Sequence, residues 1–99
     1  MDRSKYAICS TMDQIKKLNK DRGYYFFSDA TMSFFNSKPM KANPYGGFIF
    51  VTGERPTIQH KLQYTIRAIL SSGRIESLSE FEVYSHADAH REAKRLSLA

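Results

Sequence analysis

The chain has 99 residues, a net charge of +5 and a hydrophobic fraction of 41%, which is enough for one hydrophobic core and too little for two. A lone cysteine, Cys9, excludes an internal disulfide framework and is typical of a reducing compartment. No apolar run approaches the length of a membrane span, and no apolar signal region follows the N-terminus. We therefore expect a cytoplasmic protein that makes no membrane contact.

The net positive charge lies entirely in the first part of the chain. Residues 1–61 hold ten Lys and Arg against five Asp and Glu, whereas residues 62–99 hold five of each. This asymmetry is typical of a protein that faces an acidic partner surface or nucleic acid. The alternative is a solvated basic surface that only keeps a small protein soluble.

The first predicted element is a short helix, Met12–Lys20. Thr11 and Gln14 have the spacing of a capping box, and Gly23 can end the helix. Helical periodicity separates two faces. The apolar face holds Met12, Ile15 and Leu18, and the lysines directed away from it are Lys16, Lys17 and Lys20.

Nine of the thirteen aromatic residues lie between Tyr24 and Phe50. The run Tyr24–Phe27 is a candidate short strand or extended segment, in which four successive rings must point both ways, so that at least two are core. One or two of Tyr24, Tyr25 and Tyr45 are expected to stay exposed as interface residues. Ser28 then caps a predicted second helix that ends before Pro39.

The middle of the chain predicts an antiparallel sheet of three strands. Asn43–Gly47 is a loop of turn-forming residues, and it precedes a strand that is apolar on both faces and therefore central or covered. The predicted strands are Phe48–Thr52, Leu62–Leu70 and Arg74–Tyr84. Ser71–Gly73 forms the turn between the last two, and Leu78 is out of phase with its strand, which indicates a bulge or break there.

A C-terminal helix is predicted after Ser85, which caps it together with Asp88, and its apolar stripe consists of Ala89, Ala93 and Leu96. The predicted fold is α+β: a three-stranded antiparallel sheet packed on one face by short helices. We expect one domain, 1–99, with a helical extension at 1–22 and the α+β core at 23–99.

No residue pattern in the chain predicts catalysis. His86 and His90 have the spacing of metal ligands on a helix, but no third ligand is fixed near them. Cys9 is better explained as a buried small residue, and Gly46-Gly47 as a turn, since the lysine of a phosphate loop is missing. We expect a non-enzymatic protein with no metal and no cofactor.

Four stretches of the sequence are similar to a known group of proteins. They are the segment Tyr24–Ser37, the strand motifs Phe50-Val51-Thr52 and Tyr64-Thr65-Ile66-Arg67, and the Glu80-Phe81 segment before the basic helix Ala87–Arg95. In these motifs the chain resembles small uncharacterised bacteriophage and prophage proteins over about residues 23–97. The resemblance carries no ligand or catalytic residues, and it implies a phage accessory protein inside a bacterial host.

The favoured function is therefore that of a non-enzymatic inhibitor, similar to anti-CRISPR proteins in size, which binds an acidic surface of a host defence protein or nucleoprotein complex. The alternative is a nucleic-acid-binding accessory protein that uses the basic first part. The chain is expected to act as a monomer or a homodimer. The predicted partner-binding residues are Lys16, Lys17, Lys20, Asn43, Tyr45, Arg91, Lys94 and Arg95.

Overall fold

One antiparallel sheet organises the fold. The structure is a computed structural model that describes residues 3–28, 35–37, 43–54, 63–79 and 85–98. The strands are Phe35–Ser37 (β1), Ile49–Glu54 (β2), Gln63–Ile69 (β3) and Ile75–Ser77 (β4), in the order β1-β2-β3-β4. The α+β class is confirmed, and the three predicted strands are β2, β3 and β4.

The fourth strand, β1, corrects the predicted second helix at its end. Phe35 pairs with Glu54 and Ser37 with Gly53, so this stretch is the antiparallel neighbour of β2. Pairing with a strand distant in sequence satisfies backbone groups that a helix would have satisfied locally, and it overrides the local preference. The earlier part of that predicted helix, residues 29–34, lies outside the described residues.

β2 is an inner strand of the sheet, as its two apolar faces predict. It lies between β1 and β3, and its register with β3 pairs Ile49 with Ala68 and Thr52 with Thr65. Phe48 and Ile49 are fully buried, and Phe50 and Val51 are nearly so. This strand and its neighbours therefore hold the middle of the hydrophobic core.

The β3–β4 hairpin has the predicted turn and the predicted break. Gly73 adopts a positive φ of 91° in the turn, a conformation that favours glycine. β4 ends at Ser77, and the Leu78 backbone N–H donates to the Ile66 carbonyl at 2.8 Å. The rest of the predicted returning strand, residues 80–84, lies outside the described residues.

The first helix, α1, spans Met12–Asp21. The Thr11 hydroxyl accepts a hydrogen bond from the Gln14 backbone N–H at 3.3 Å, while the Gln14 side chain accepts one from the Ser10 N–H at 2.6 Å. The reciprocal bond is thus displaced by one residue from that of the standard capping box. Gly23 follows the helix with φ of 85°, which confirms the predicted helix end.

The second helix, α2, spans His86–Leu98 and packs on β2 and β3. The Ser85 hydroxyl accepts from the Asp88 N–H at 3.3 Å, as the capping prediction requires. Ala89 and Ala93 are fully buried and Leu96 is half-buried, which confirms the apolar stripe. None of the described helices is long and apolar enough to cross a membrane.

The residues before α1 lie against the sheet. A short 3-10 helix, Arg3–Lys5, leads to Tyr6, which forms an isolated bridge with Leu70 beyond the end of β3. The Tyr6 ring stacks on Phe48 with centroids 4.7 Å apart, and the Cys9 N–H donates to the Gly47 carbonyl at 2.7 Å. This start of the chain is therefore part of the packed structure.

A candidate binding groove beside the first helix

A groove of about 350 Å³ lies between α1 and the chain segment that follows it. Its wall on the helix side comes from positions one turn apart, and its opposite wall is aromatic. The lining residues are Lys16, Asn19, Lys20, Tyr24, Tyr25, Phe27 and Ser28. We call this feature the aromatic–lysine groove.

Asn19 fixes the shape of the groove. It is 1% exposed, and its amide nitrogen donates to the Gly73 carbonyl at 2.7 Å, while its amide oxygen accepts from the Phe26 N–H at 3.2 Å. Its backbone carbonyl also accepts from the Tyr24 N–H at 3.0 Å. One buried side chain therefore ties the helix, the hairpin turn and the aromatic segment together.

The aromatic segment divides into core rings and exposed rings. Phe26 and Phe27 are half-buried and pack on Phe50, with ring centroids 6.1 Å and 5.8 Å away. Tyr24 and Tyr25 are 39% and 78% exposed. The prediction that one or two tyrosines are exposed is confirmed, and two of the four rings, Phe26 and Phe27, pack against the core while they stay half-buried. Phe26 and Phe27 lie in a turn, and Tyr24 and Tyr25 lie in no helix, strand or turn, so the short-strand interpretation is wrong.

Two of the three predicted lysines of α1 line the groove. Lys16 keeps 22% of its side chain exposed and lies 3.8 Å from the Asp13 carboxylate, and Lys20 is exposed at the next turn. Lys17 instead pairs with Asp21 at 2.6 Å, outside the groove lining. The structure therefore brings Lys16 and Lys20 together with the aromatic rings and leaves Lys17 apart.

Tyr45 and Asn43 lie elsewhere, on the loop before β2. Asn43 is exposed, and Tyr45 is half-buried, with its hydroxyl 2.7 Å from Nδ1 of His90. The ring centroids of His90 and His86 are in turn 4.3 Å apart. Burial, and after it the neighbouring His86, lowers the pKa of His90. Tyr45 thus holds the loop on α2, and its contact with a partner stays a prediction.

The cations of α2 are largely paired within their own helix. Arg91 bonds to Asp88 at 2.8 Å, and Arg95 donates to both carboxylate oxygens of Glu92, with Nε at 2.9 Å. The hydrogen bond from Arg95 lowers the pKa of Glu92. Lys94 is exposed and forms no ion pair with the described residues.

The described residues contain no group of three or more His, Cys, Asp or Glu side chains that could hold a metal ion. The Cys9 thiol is buried, and this burial raises its pKa. A thiolate is the nucleophilic form of cysteine, so the environment of Cys9 favours the unreactive thiol.

Comparison with known proteins places the chain in a family. The model of a family of unknown function, DUF7447, matches residues 11–95. The chain belongs to this family. The matched region begins ahead of α1, so the family includes the first helix, which the resemblance to phage proteins over residues 23–97 did not cover. No curated protein and no solved structure gives a significant match.

Five residues of the groove are not among the predicted partner-binding residues: Asn19, Tyr24, Tyr25, Phe27 and Ser28. The two tyrosines were expected only as candidates for exposed interface residues. Asn19 follows Met12 and Ile15 at helical spacing, so a polar side chain on the apolar face was the available signal for it. Ser28 lines the groove. Its predicted role as a helix cap stays a prediction, because residues 29–34 lie outside the described residues. The position of Ser28 depends on the turn at 26–28, which no periodicity in the sequence indicates.

Proposed function

We propose that this member of the DUF7447 family is a non-enzymatic binding protein that recognises an acidic partner through the aromatic–lysine groove. The observation that carries the proposal is the meeting of two lysines with an exposed tyrosine in one groove, where no carboxylate is among the described lining residues. Tyrosine is enriched among the residues that dominate binding energy. Lysines near such an anchor accelerate association with an acidic surface.

The biological role that we propose for this binding is inhibition of a host defence complex by a phage or prophage accessory protein, in the cytoplasm of the bacterial host. The resemblance in the aromatic and strand motifs supports the phage setting. Analogy with anti-CRISPR proteins, which are also small single domains, supports the inhibitor role.

Nucleic-acid binding is the second candidate function. Exposed aromatic rings beside lysines are the components of a single-strand binding platform, and both are present in the groove. The surroundings favour a protein partner, because Asp13 and Asp21 are exposed on the same helix and place negative charge along the path of a phosphate backbone.

Capture from a bacterial host lysate with immobilised protein tests the proposal. The groove variant changes Lys16→Glu and Lys20→Glu, and the control variant changes Lys17→Glu and Lys94→Glu, which alters the net charge equally outside the groove lining. Because each cation contributes up to about 1 kcal/mol, we expect roughly tenfold weaker capture by the groove variant. The control should capture like the wild type.

Nuclease treatment of the lysate separates the two candidate functions. A protein partner should remain bound after nuclease digestion, whereas capture that disappears would favour nucleic acid. Equal capture by the groove variant and the control, with both folded by circular dichroism, would contradict a role for the groove.

A further inference from the structure

We infer that the aromatic–lysine groove takes one aromatic side chain from an acidic protein segment, whose carboxylates pair with Lys16 and Lys20. This inference rests on the proposed function, and it names the part of the partner that the groove would bind. The groove supports this inference by its size, its charge and its rigidity.

The groove has the size of a side-chain pocket. Its volume of about 350 Å³ lies near the lower end of the range of roughly 300–1,000 Å³ seen for small-molecule sites. Tyr24, Tyr25 and Phe27 supply rings on one wall. Aromatic pairs gain energy beyond the area that they bury, in offset or edge-to-face arrangements, so an aromatic ring is the side chain that best matches this wall.

The charge of the groove selects acidic neighbours for that ring. Lys16 and Lys20 are one helical turn apart, a spacing of about 5–6 Å between Cβ atoms. In an extended segment, residues two apart face the same side at roughly 6–7 Å. A carboxylate two residues from the inserted ring therefore reaches the lysine rim. A cationic segment would meet two ammonium groups and, among the lining residues that the structure describes, no carboxylate.

The short extent of the positive charge favours a protein segment over a polyanion. The Asp13 carboxylate lies 3.8 Å from the Lys16 ammonium group, and 93% of the Asp13 side chain is exposed. Asp21 forms an ion pair with Lys17. A nucleic-acid strand carries one negative charge on each nucleotide and binds through several phosphates at once. Along α1 such a strand would meet exposed carboxylates on either side of the groove, whereas a short acidic segment ends before it meets them.

The groove is also preorganised. The hydrogen bonds of Asn19 to Phe26 and Gly73 fix the aromatic wall relative to the helix in the free protein. A wall that is already ordered loses little conformational entropy on binding. An inserted ring consequently meets a formed site rather than one that must first fold around it.

Peptide fluorescence tests the inference, because the chain contains no tryptophan and a tryptophan in the peptide then reports on the peptide alone. The probe is acetyl-Asp-Asp-Trp-Asp-Asp-amide, and the matched control is acetyl-Asn-Asn-Trp-Asn-Asn-amide. We expect the acidic probe to bind about tenfold more tightly than the control, as two carboxylate–lysine pairs would provide. Lys16→Glu with Lys20→Glu should remove this difference, and Lys17→Glu should keep it.

The ring and the charge are tested separately. A competitor with alanine in place of tryptophan should displace the probe at least about tenfold less well than one with phenylalanine there, since the ring supplies the apolar contact. Equal binding of the acidic and amide peptides, or full displacement by the alanine peptide, would overturn the inference. Stronger displacement by oligodeoxythymidine than by the acidic peptide would do so as well.

The proposed function fails on a different result. Lysate capture that does not depend on Lys16 and Lys20 contradicts the use of the groove altogether, whatever the peptides do. Capture that depends on both lysines, together with peptides that show no preference for acid or ring, keeps the proposed function and rejects only the acidic aromatic segment.

Discussion

The two α-helices that the structure describes, α1 and α2, carry the same numbers of Lys/Arg and Asp/Glu residues but place them in different surroundings. Each has three Lys or Arg residues and two Asp or Glu residues, and each begins at a hydroxyl cap. Cations of both helices pair with acids one turn earlier: Arg91 and Arg95 on α2, and Lys16, 3.8 Å from Asp13, on α1. On α1, however, Lys16 and Lys20 also line a groove that contains aromatic rings. The surroundings of a cation, rather than the number of cations, therefore distinguish the candidate binding helix from the other.

The helices also pack differently on the core. α1 inserts larger apolar side chains, Met12 and Ile15, and the polar Asn19 beside them. α2 presents Ala89 and Ala93, which are fully buried and allow the helix to approach the sheet closely. Truncation of a buried α1 side chain should therefore weaken the packing of α1 on the core. Enlargement of a buried α2 alanine should weaken the packing of α2 on the sheet.

Ile15→Ala should have the largest effect on stability. Ile15 is fully buried, and truncation of a buried aliphatic side chain costs about 2–5 kcal/mol because it leaves a cavity. Urea unfolding would measure the free energy of unfolding, with half-buried Leu18→Ala as the milder comparison. A loss below about 0.5 kcal/mol would show that α1 is not anchored to the core by this residue.

Ala93→Leu tests the close approach of α2. The added atoms have no space between the helix and the sheet, and overpacking of this kind costs about 1–3 kcal/mol. The same change at exposed Lys94 adds no buried volume and serves as the control for helix propensity. Similar free energies of unfolding for the two variants would contradict the docking of α2 through its alanines.

The His90 environment predicts a smaller, pH-dependent effect. Burial, followed by the neighbouring His86, lowers the pKa of His90 in the folded protein, so the unfolded chain takes up a proton first as the pH falls through about 6.5. Folding stability from this residue should be constant above that pH and should decrease as the pH drops below it.

Unfolding free energies measured between about pH 7.5 and about pH 5.5 would check this prediction. His90→Gln should reduce the loss of stability on acidification, and His86→Gln should retain the part that comes from burial of His90. If His90→Gln leaves the pH dependence as it is in the wild type, the histidine pair does not cause it.

Lys17→Gln should have the smallest effect. The pair that Lys17 forms with Asp21 at 2.6 Å is exposed to solvent, and such pairs contribute below about 1 kcal/mol. The variant should also bind the acidic probe peptide like the wild type, because Lys17 is outside the groove lining. Weaker probe binding by Lys17→Gln would extend the binding surface around the helix.

Local signals predicted most of the fold, and they failed where distant pairing decided the structure. The caps at Thr11 and Ser85 located α1 and α2, and the alternation around Ile66 located the β3–β4 hairpin. Each signal lies within a few residues of the element that it specifies. The predicted second helix was wrong at its end, Phe35–Ser37, because this stretch pairs with a strand that lies more than ten residues away in the sequence.

The groove was only half predictable for the same reason. Lys16 and Lys20 follow from helical periodicity, and exposed tyrosines follow from the aromatic run. Their meeting depends on Asn19, whose side chain bonds to Phe26, seven residues later, and to Gly73, 54 residues later in the sequence. No local pattern specifies such a contact.

Backbone amide chemical shifts during titration with the acidic tryptophan peptide test the central claim most directly. We expect the perturbed amides to cluster at residues 16–28. Lys20→Glu should abolish these chemical-shift perturbations, whereas Lys94→Glu should leave them unchanged. Perturbations that cluster instead around Arg91, Lys94 and Arg95 would place the binding surface on α2 and contradict the account.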